Sequence, residues 1–347
     1  MINEVKAVIR AHARFGILSH IGPEGDAIGS ELALKFMLEQ LGKEAWAANR
    51  DLVPPSLQFL PGSDQMLHPT QLRSDEIEVW CVVDCGDLSR VGEDALKLFH
   101  EGQIILNIDH HHRDNPRFGH VNFVKEAAST TQLLYELVPA LPVEITPQIA
   151  TCLYTGIIAD TDSFRNSNVT REVLEMAAQL LSYGVNTREI AINLYERRSL
   201  YELQLLGYVL QNAQVRDGII WSAIPKSVFH KTNTSVTDTE RLVEELRSVE
   251  GIEVAVLLKE LDNGKIKVSL RSKGRATVNS VARAFGGGGH EQAAGCVIPG
   301  ELSEVQERVL AELQRHLGIT ESTDSCLPVR SERFRAFRDS AKERGRG

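Results

Sequence analysis

The residues best suited to chemistry fall in four short clusters in the first half of the chain. They are His20, Glu24 and Asp26 in SHIGPEGDAIGS; Asp84, closing the apolar run VWCVVD; Asp109, His110 and His111, closing IILNI; and Asp160, closing IATCLYTGIIAD. One acid or histidine after an apolar run is most often a cap, a turn residue or a solvated side chain. Four clusters at the ends of predicted strands and helices ask for more, because carboxylates aimed into one pocket repel one another unless a cation neutralises them. Imidazole and carboxylate donors without thiolates suit Mn2+, Fe2+, Co2+ or Mg2+ rather than a structural Zn2+. The donors are too many for one ion. Two ions sharing a bridging carboxylate are the usual device for activating water against phosphorus and stabilising charge on the phosphoryl oxygens.

A second signal lies in the other half. AFGGGGHEQAAG carries Gly286, Gly287, Gly288 and Gly289 in succession, followed by His290. Unshielded backbone N–H groups in such a run can wrap an anion closely. Nearby, KIKVSLRS alternates, with Ile266, Val268 and Leu270 on one face and Lys267, Ser269 and Arg271 on the other. A basic, hydroxyl-bearing face beside a glycine loop can hold phosphate or a nucleotide, whereas a bare alternating strand would be an ordinary solvent-facing one.

Bringing the acidic clusters together requires parallel strands, whose carboxyl ends share one edge of a sheet. The apolar runs FGILSH, EAWAANR, EVWCVVDCGD and QIILNIDHH, separated by amphipathic stretches, read as βαβ units. Gly42 ends a helix begun near Ser30, Thr146 with Pro147 starts another towards Ile158, and Thr170 caps a third ending at Gly184. The expected class is therefore α/β: an N-terminal, mostly parallel sheet with helices on both faces over residues 1–185, a helical linker over 186–215, and a smaller α/β domain over 216–318. In the smaller domain Asn263 and Gly264 turn one strand into the next. Residues 319–347 read as a basic, disordered tail, with seven basic and three acidic residues after Pro328.

Composition narrows the partners. The chain has 347 residues and a net charge of -9, which disfavours a long polyanion as an unaided partner but leaves short anions open. Five cysteines without a CxxC pair suit reduced thiols. The N-terminus lacks the apolar core of a signal peptide and no stretch reaches the ~20 apolar residues of a membrane span. A cytoplasmic protein without a membrane partner, with a modest preference for a homodimer, is expected.

IDHH at 108–111, with HIGPEGDAIGS, VVDCGD, GIIADTDSFR and GGGGHEQAAG in that arrangement, resembles the DHH phosphoesterases that carry a C-terminal DHHA1 domain. Length and motif order are most similar to the branch that degrades very short oligoribonucleotides and dephosphorylates 3′-phosphoadenosine 5′-phosphate. The resemblance covers residues 15 to about 318. It implies an active site in the cleft between two domains and two divalent ions, Mn2+ ahead of Mg2+ and Co2+. His20, Glu24 and Asp84 would hold one ion and Asp26, Asp84, His110 and Asp160 the other, with Asp84 bridging. His111 would face the scissile phosphate and Asp109 would support it, while Arg271, Ser269, Gly286 to Gly289 and His290 would grip the nucleotide, with Asn115 and Arg165 as further contacts. Glu24 stands where the family usually has aspartate, Asp162 where glycine is common, and His112 is an addition without an assigned role. A phosphodiesterase for cyclic or linear dinucleotides is the nearest alternative. A pyrophosphatase fits less well because the glycine loop belongs to nucleotide-processing members, and a catalytically dead nucleotide-binding regulator is at odds with a full set of competent ligands.

Overall fold

The computed structural model describes residues 1–111, 117–239, 241–317 and 327–328. The basic tail expected at 319–347 lies outside them apart from the backbone of Leu327 and Pro328. The chain divides into two compact units, Met1–Arg197 and the remainder from Arg198.

The first unit runs α1 (Ile2–Ala11), β1 (Arg14–Leu18), α2 (Gly25–Gln40), β2 (Glu44–Ala48), β3 (Val79–Val83), α3 (Glu93–Leu96), β4 (Ile104–Asp109), β5 (Val121–Val124), α4 (Thr130–Leu137), α5 (Pro147–Asp160), α6 (Arg171–Leu181) and α7 (Thr187–Tyr195). Its five strands lie in the order β2-β1-β3-β4-β5, all parallel. Phe15, Ile17, Cys81, Val83 and Leu106 turn one face of the sheet towards α2, α4 and α5. Leu18, Trp80 and Val82 turn the other towards a thinner cover of α3 and short 3-10 turns. Helices thus lie on both faces, unequally.

Caps set several helix starts as their sequences predict: Thr146 accepts from the Ile149 amide and Thr170 from the Val173 amide. The helix expected from Ser30 begins five residues earlier, at Gly25. The reason is burial. Residues 25–35 of α2 are all buried, so packing offsets the poor helix propensity of its two glycines. Asp26 consequently sits in the first turn of a helix rather than in a strand-end loop.

The second unit runs α8 (Leu200–Gln211), β6 (Gln214–Arg216), β7 (Ile219–Ile224), α9 (Lys226–Thr232), α10 (Leu242–Arg247), β8 (Val254–Glu260), β9 (Lys265–Ser272), α11 (Val278–Ala284), β10 (Gly288–Gly289), β11 (Ala293–Pro299), α12 (Leu302–His316) and β12 (Leu327–Pro328). The sheet order is β10-β11-β9-β8-β7-β6-β12, with β7 and β8 parallel and the other pairs antiparallel. Val256, Leu258, Val268 and Leu270 pack against α11 and α12, while Ala255 and Leu257 face α8 and α10. The helical stretch expected over 186–215 is two helices, α7 packed in the first unit and α8 in the second, because residues 196–199 break it and Ser199 caps the second. No helix among the described residues is long and apolar enough to cross a membrane.

Candidate metal centre and anion-binding face

In the first unit the chain leaves β1 towards β2 on one side, while β3 and β4 lie on the other. Such a reversal of strand order opens a crevice at the carboxyl ends of the two central strands. His20 follows β1, Asp84 follows β3, and Asp109, His110 and His111 close β4. Asp26 enters from the first turn of α2 and Asp160 from the last residue of α5.

These side chains interlock. His110 Nε2 lies 3.0 Å from Asp160 Oδ2, 3.4 Å from Asp84 Oδ1 and 3.8 Å from Asp26 Oδ2. His20 Nε2 lies 3.7 Å from Asp84 Oδ2, on the opposite side of the same carboxylate. Among the described residues of the first unit, two groupings have donor atoms within 4.8 Å of one another: Asp26, Asp84 and His110, and Asp84, Asp109 and His111. Asp84 is common to both.

The tautomers are fixed by the backbone. His110 Nδ1 is 3.1 Å from the Ala127 carbonyl and His20 Nδ1 is 2.9 Å from the Ile21 carbonyl. A carbonyl only accepts, so each Nδ1–H donates and each Nε2 is left to face carboxylate oxygens. A neutral imidazole lone pair among carboxylates is repulsive unless a proton or a metal ion lies between them. This donor set fits divalent cations of the Mn2+ type, and the metal-binding pattern of an Nδ1 anchored to a carbonyl is already in place.

Burial and charge strain the group further. Burial pushes Asp26 well above the usual carboxylate range, and the Asp84 and Asp160 charges add to it. Burial opposes ionisation of Asp84 too, but contacts with His110 and His20 and the charge of His111 prevail and hold it well below that range. Burial lowers the basicity of His110, yet Asp160 and Asp84 more than reverse it, so its pKa is raised well above the ordinary value. The backbone of Asp84 is left-handed, with φ 51°. Aspartate adopts this conformation at a cost of about 1 kcal/mol, and such strain gathers at functional sites.

Asp26 is held by groups that its own cluster does not reveal. The amides of Thr130 and Thr131, at the start of α4, donate to its two oxygens at 2.6 and 3.0 Å, and the Thr131 hydroxyl donates at 2.9 Å. A helix N-terminus favours a carboxylate there. The Thr130 hydroxyl also donates to Asp84 at 3.2 Å. Helices α2 and α5 approach backbone to backbone behind these acids. A Cβ on Gly29 would come within 2.6 Å of the Cys152 carbonyl oxygen, and one on Gly156 within 2.7 Å of Asp26 Oδ1.

The remaining predicted residues fall around this core. Asp109, 1% exposed, accepts from His111 Nδ1 at 2.6 Å and fixes that ring. Glu24 is the exposed N-cap of α2 and belongs to neither three-residue grouping. Arg165 is tied to Asp162 through both its backbone carbonyl and its carboxylate. Asp162, Ser163 and Phe164 all have positive φ, which explains why glycine suits position 162. Asn166 and Asn168, not singled out by sequence, donate to the Asp160 carbonyl and fix the end of α5. Asn115 and His112 lie outside the described residues. The thiols of Cys81 and Cys85, pushed up to about 12 by burial, supply no thiolate at neutral pH.

The second unit presents a different chemistry. Ser269 pairs with Gly295 and Leu257, and Arg271 with Ala293 and Ala255, so both lie on the α10 side of the sheet. Arg271 Nε donates to Glu244 Oε1 at 2.7 Å. The addition is Lys259, paired with Lys267 across the strands, 4% exposed, and donating to Ser269 Oγ at 2.8 Å. Burial, then the charges of Lys267 and Arg271, lower its pKa to about 7. Sequence misses it because VAVLLKE shows one lysine at a strand end, the common place for a solvated one.

The glycine run is partly a strand edge. A Cβ on Gly287 would collide with the Gly295 carbonyl, one on Gly289 with the Ala293 carbonyl, and Gly286 has φ 73°. Gly288 alone of the four has open space at its Cβ position and no positive φ. Three glycines therefore serve the fold, and the fourth, half-buried Gly288, pairs with Gly295 at the sheet edge two residues before exposed His290.

Comparison with known proteins agrees with both halves. The DHH family N-terminal domain matches residues 14–157 and the DHHA1 domain residues 219–318. The chain belongs to the DHH family of phosphoesterases, in the form that carries a DHHA1 domain. A relative from Thermus thermophilus, named bifunctional oligoribonuclease and PAP phosphatase NrnA, is 37% identical over 306 residues, 87% of this chain and 89% of that protein. The protein of the same name from Bacillus subtilis is 29% identical over 85% of this chain and 92% of its own. An exopolyphosphatase-related protein from Bacteroides fragilis superposes with a TM-score of 0.85 at 28% identity, over 92% of this chain and 96% of that one. RecJ of Thermus thermophilus, solved with Mn2+, shares the fold with a TM-score of 0.51 at 15% identity, over 92% of this chain and 54% of its own.

Proposed function

We propose that this chain is a two-metal phosphohydrolase that degrades very short oligoribonucleotides to mononucleotides and dephosphorylates 3′-phosphoadenosine 5′-phosphate. The observation that carries it is the set of Nε2 atoms of His20 and His110 turned onto the carboxylates of Asp84, Asp26 and Asp160. His20, Asp84 and Glu24 would hold one ion, and Asp26, Asp84, His110 and Asp160 would hold the other. Manganese suits this donor set best. When bound, the two ions supply a nucleophile from water at neutral pH and neutralise charge developing on the phosphoryl oxygens.

The protein's own groups do the rest. Thr130 and Thr131 keep Asp26 oriented, and Thr130 steadies the bridging Asp84. His111, aligned by Asp109, offers its other nitrogen to the phosphoryl group. Lys259, Ser269 and Arg271, with the strand edge at Gly288 and with His290, would take the anionic end of the substrate. The names of the relatives support the substrate class, and the net charge of -9 supports short substrates over long ones. The cytoplasm and a homodimer are the matching setting.

Release of mononucleotide from a labelled diribonucleotide, and of phosphate from 3′-phosphoadenosine 5′-phosphate, tests the proposal. Both reactions should require Mn2+ and stop in chelator. Equal rates with and without chelator would end it.

A further inference from the structure

Glu31 is a carboxyl buried to 0% exposure in the middle of α2, five residues beyond Asp26 and outside the metal-ligand set. A leucine or methionine would fill the same volume without the desolvation that a buried carboxyl suffers. Its contacts explain what it does. Glu31 Oε2 accepts from Asn49 Nδ2 at 2.7 Å, and Asn49 Oδ1 in turn accepts from the Ser19 hydroxyl at 3.1 Å and the Ser19 amide at 3.4 Å. Asn49 and Ser19 are themselves 5% and 2% exposed.

The register shows why this chain of contacts matters. The last paired residues of β1 and β2 are Leu18 and Ala48, so Ser19 and Asn49 occupy the rung where the parallel ladder stops. The Asn49 side chain takes over from the ladder there. An amide can bind Ser19 only with its oxygen towards it, and only an acceptor on the other side keeps the Nδ2 end turned away. Glu31 is that acceptor. His20 is the next residue after Ser19, with Nδ1 on the Ile21 carbonyl and Nε2 towards Asp84.

We propose that Glu31, acting through Asn49 and Ser19, is a positioning residue for His20, and through it for one ion of the metal centre. This rests on the metal-centre reading above. Because burial pushes the Glu31 carboxyl well above the usual range, glutamine is the matching conservative replacement. It retains an oxygen for Asn49; leucine does not.

The test is a double-mutant cycle on the full chain, with Mn2+ affinity from calorimetry as the readout and melting in chelator as the control for folding. Glu31→Leu should weaken Mn2+ binding by about 10–100-fold and Glu31→Gln by less than about threefold, the span for partners that orient metal ligands. In a His20→Ala background the same Glu31→Leu change should cost less than about twofold, because its route is already removed. A general structural role would instead lower affinity equally in both backgrounds, which overturns the inference. So would a folded Glu31→Leu protein that binds Mn2+ as the parent does. If Glu31→Leu does not fold, Asn49→Ala enters the same cycle with the same expected loss and the same refuting outcomes. A parent chain that binds no Mn2+ overturns the metal-centre reading and this inference together, a result distinct from the others.

Discussion

The two units solve opposite electrostatic problems with the same kind of scaffold. In the first, buried Asp26, Asp84 and Asp109 crowd together at the strand ends with Asp160, and the histidines among them already have one nitrogen committed to the backbone or to Asp109. In the second, a buried amine, Lys259, lies beside Lys267 and Arg271, with Glu244 as the nearby acid. One site has an excess of negative charge and the other of positive charge. Each is a high-energy arrangement in isolation, because burial strips charges of their hydration. The difference is what the proposed function builds on: on that reading the first would accept cations and the second a phosphate-bearing anion.

If this contrast is right, the largest effect belongs to the shared carboxylate. Asp84→Asn keeps a residue able to hold φ 51° and removes only charge and one oxygen donor, so turnover of a diribonucleotide should fall by about 10³-fold or more on the scale of lost metal-ion catalysis. Retained turnover would refute the cationic half of the contrast. Thr131→Val, which deletes one of the donors on Asp26, should reduce Mn2+ affinity by roughly 10-fold, as for other groups that orient a ligand. A titration followed by calorimetry measures it. Adding Mn2+ at about 100 times its dissociation constant should stabilise the first unit by about 2.7 kcal/mol for each ion bound and leave the second unchanged, which amide exchange can resolve unit by unit.

Lys259→Met gives the smallest effect on turnover and the sharpest on pH. It should raise KM for 3′-phosphoadenosine 5′-phosphate about fivefold with little change in kcat, as expected when one charged contact is lost. Its influence on stability follows from linkage. Lys259 titrates near 7 when folded and near the ordinary lysine value when unfolded, so between those values the unfolded chain holds the extra proton and the parent protein gains stability as pH rises. The variant lacks this dependence. It should therefore melt higher than the parent at pH 6, by the equivalent of about 2 kcal/mol, with the gain vanishing towards pH 10. An equal gain at both pH values would show that Lys259 is not a buried, depressed amine.

Much of this was legible in the sequence because strand-end placement is a local property. Apolar runs ending in Asp84, Asp109 and His20 predict both the strands and the edge on which their termini meet. The missed groups depend on pairings that no local pattern carries. Thr130 and Thr131 reach Asp26 across more than 100 residues, and their only local sign is Ser129, which caps α4. Lys259 becomes unusual only when the strand register sets Lys267 and Arg271 near it. The early start of α2 was hidden because glycines argue against a helix until another backbone is known to lie against them. The glycine run in the second unit shows the converse: packing calls for glycine at Gly287 and Gly289 and a positive φ at Gly286, reasons that the run itself does not display.

The close approach of α2 and α5 at Gly29 and Gly156 has a consequence for ion choice. Asp26 and Asp160 ride on two main chains in direct contact, and main-chain contacts yield far less than interdigitated side chains do. On the proposed metal-centre reading, their oxygens would act like the fixed jaws of a calliper. A cavity of that kind discriminates by ionic size, rewarding a cation that matches the opening and penalising a larger one such as Ca2+, which flexible loops would accommodate.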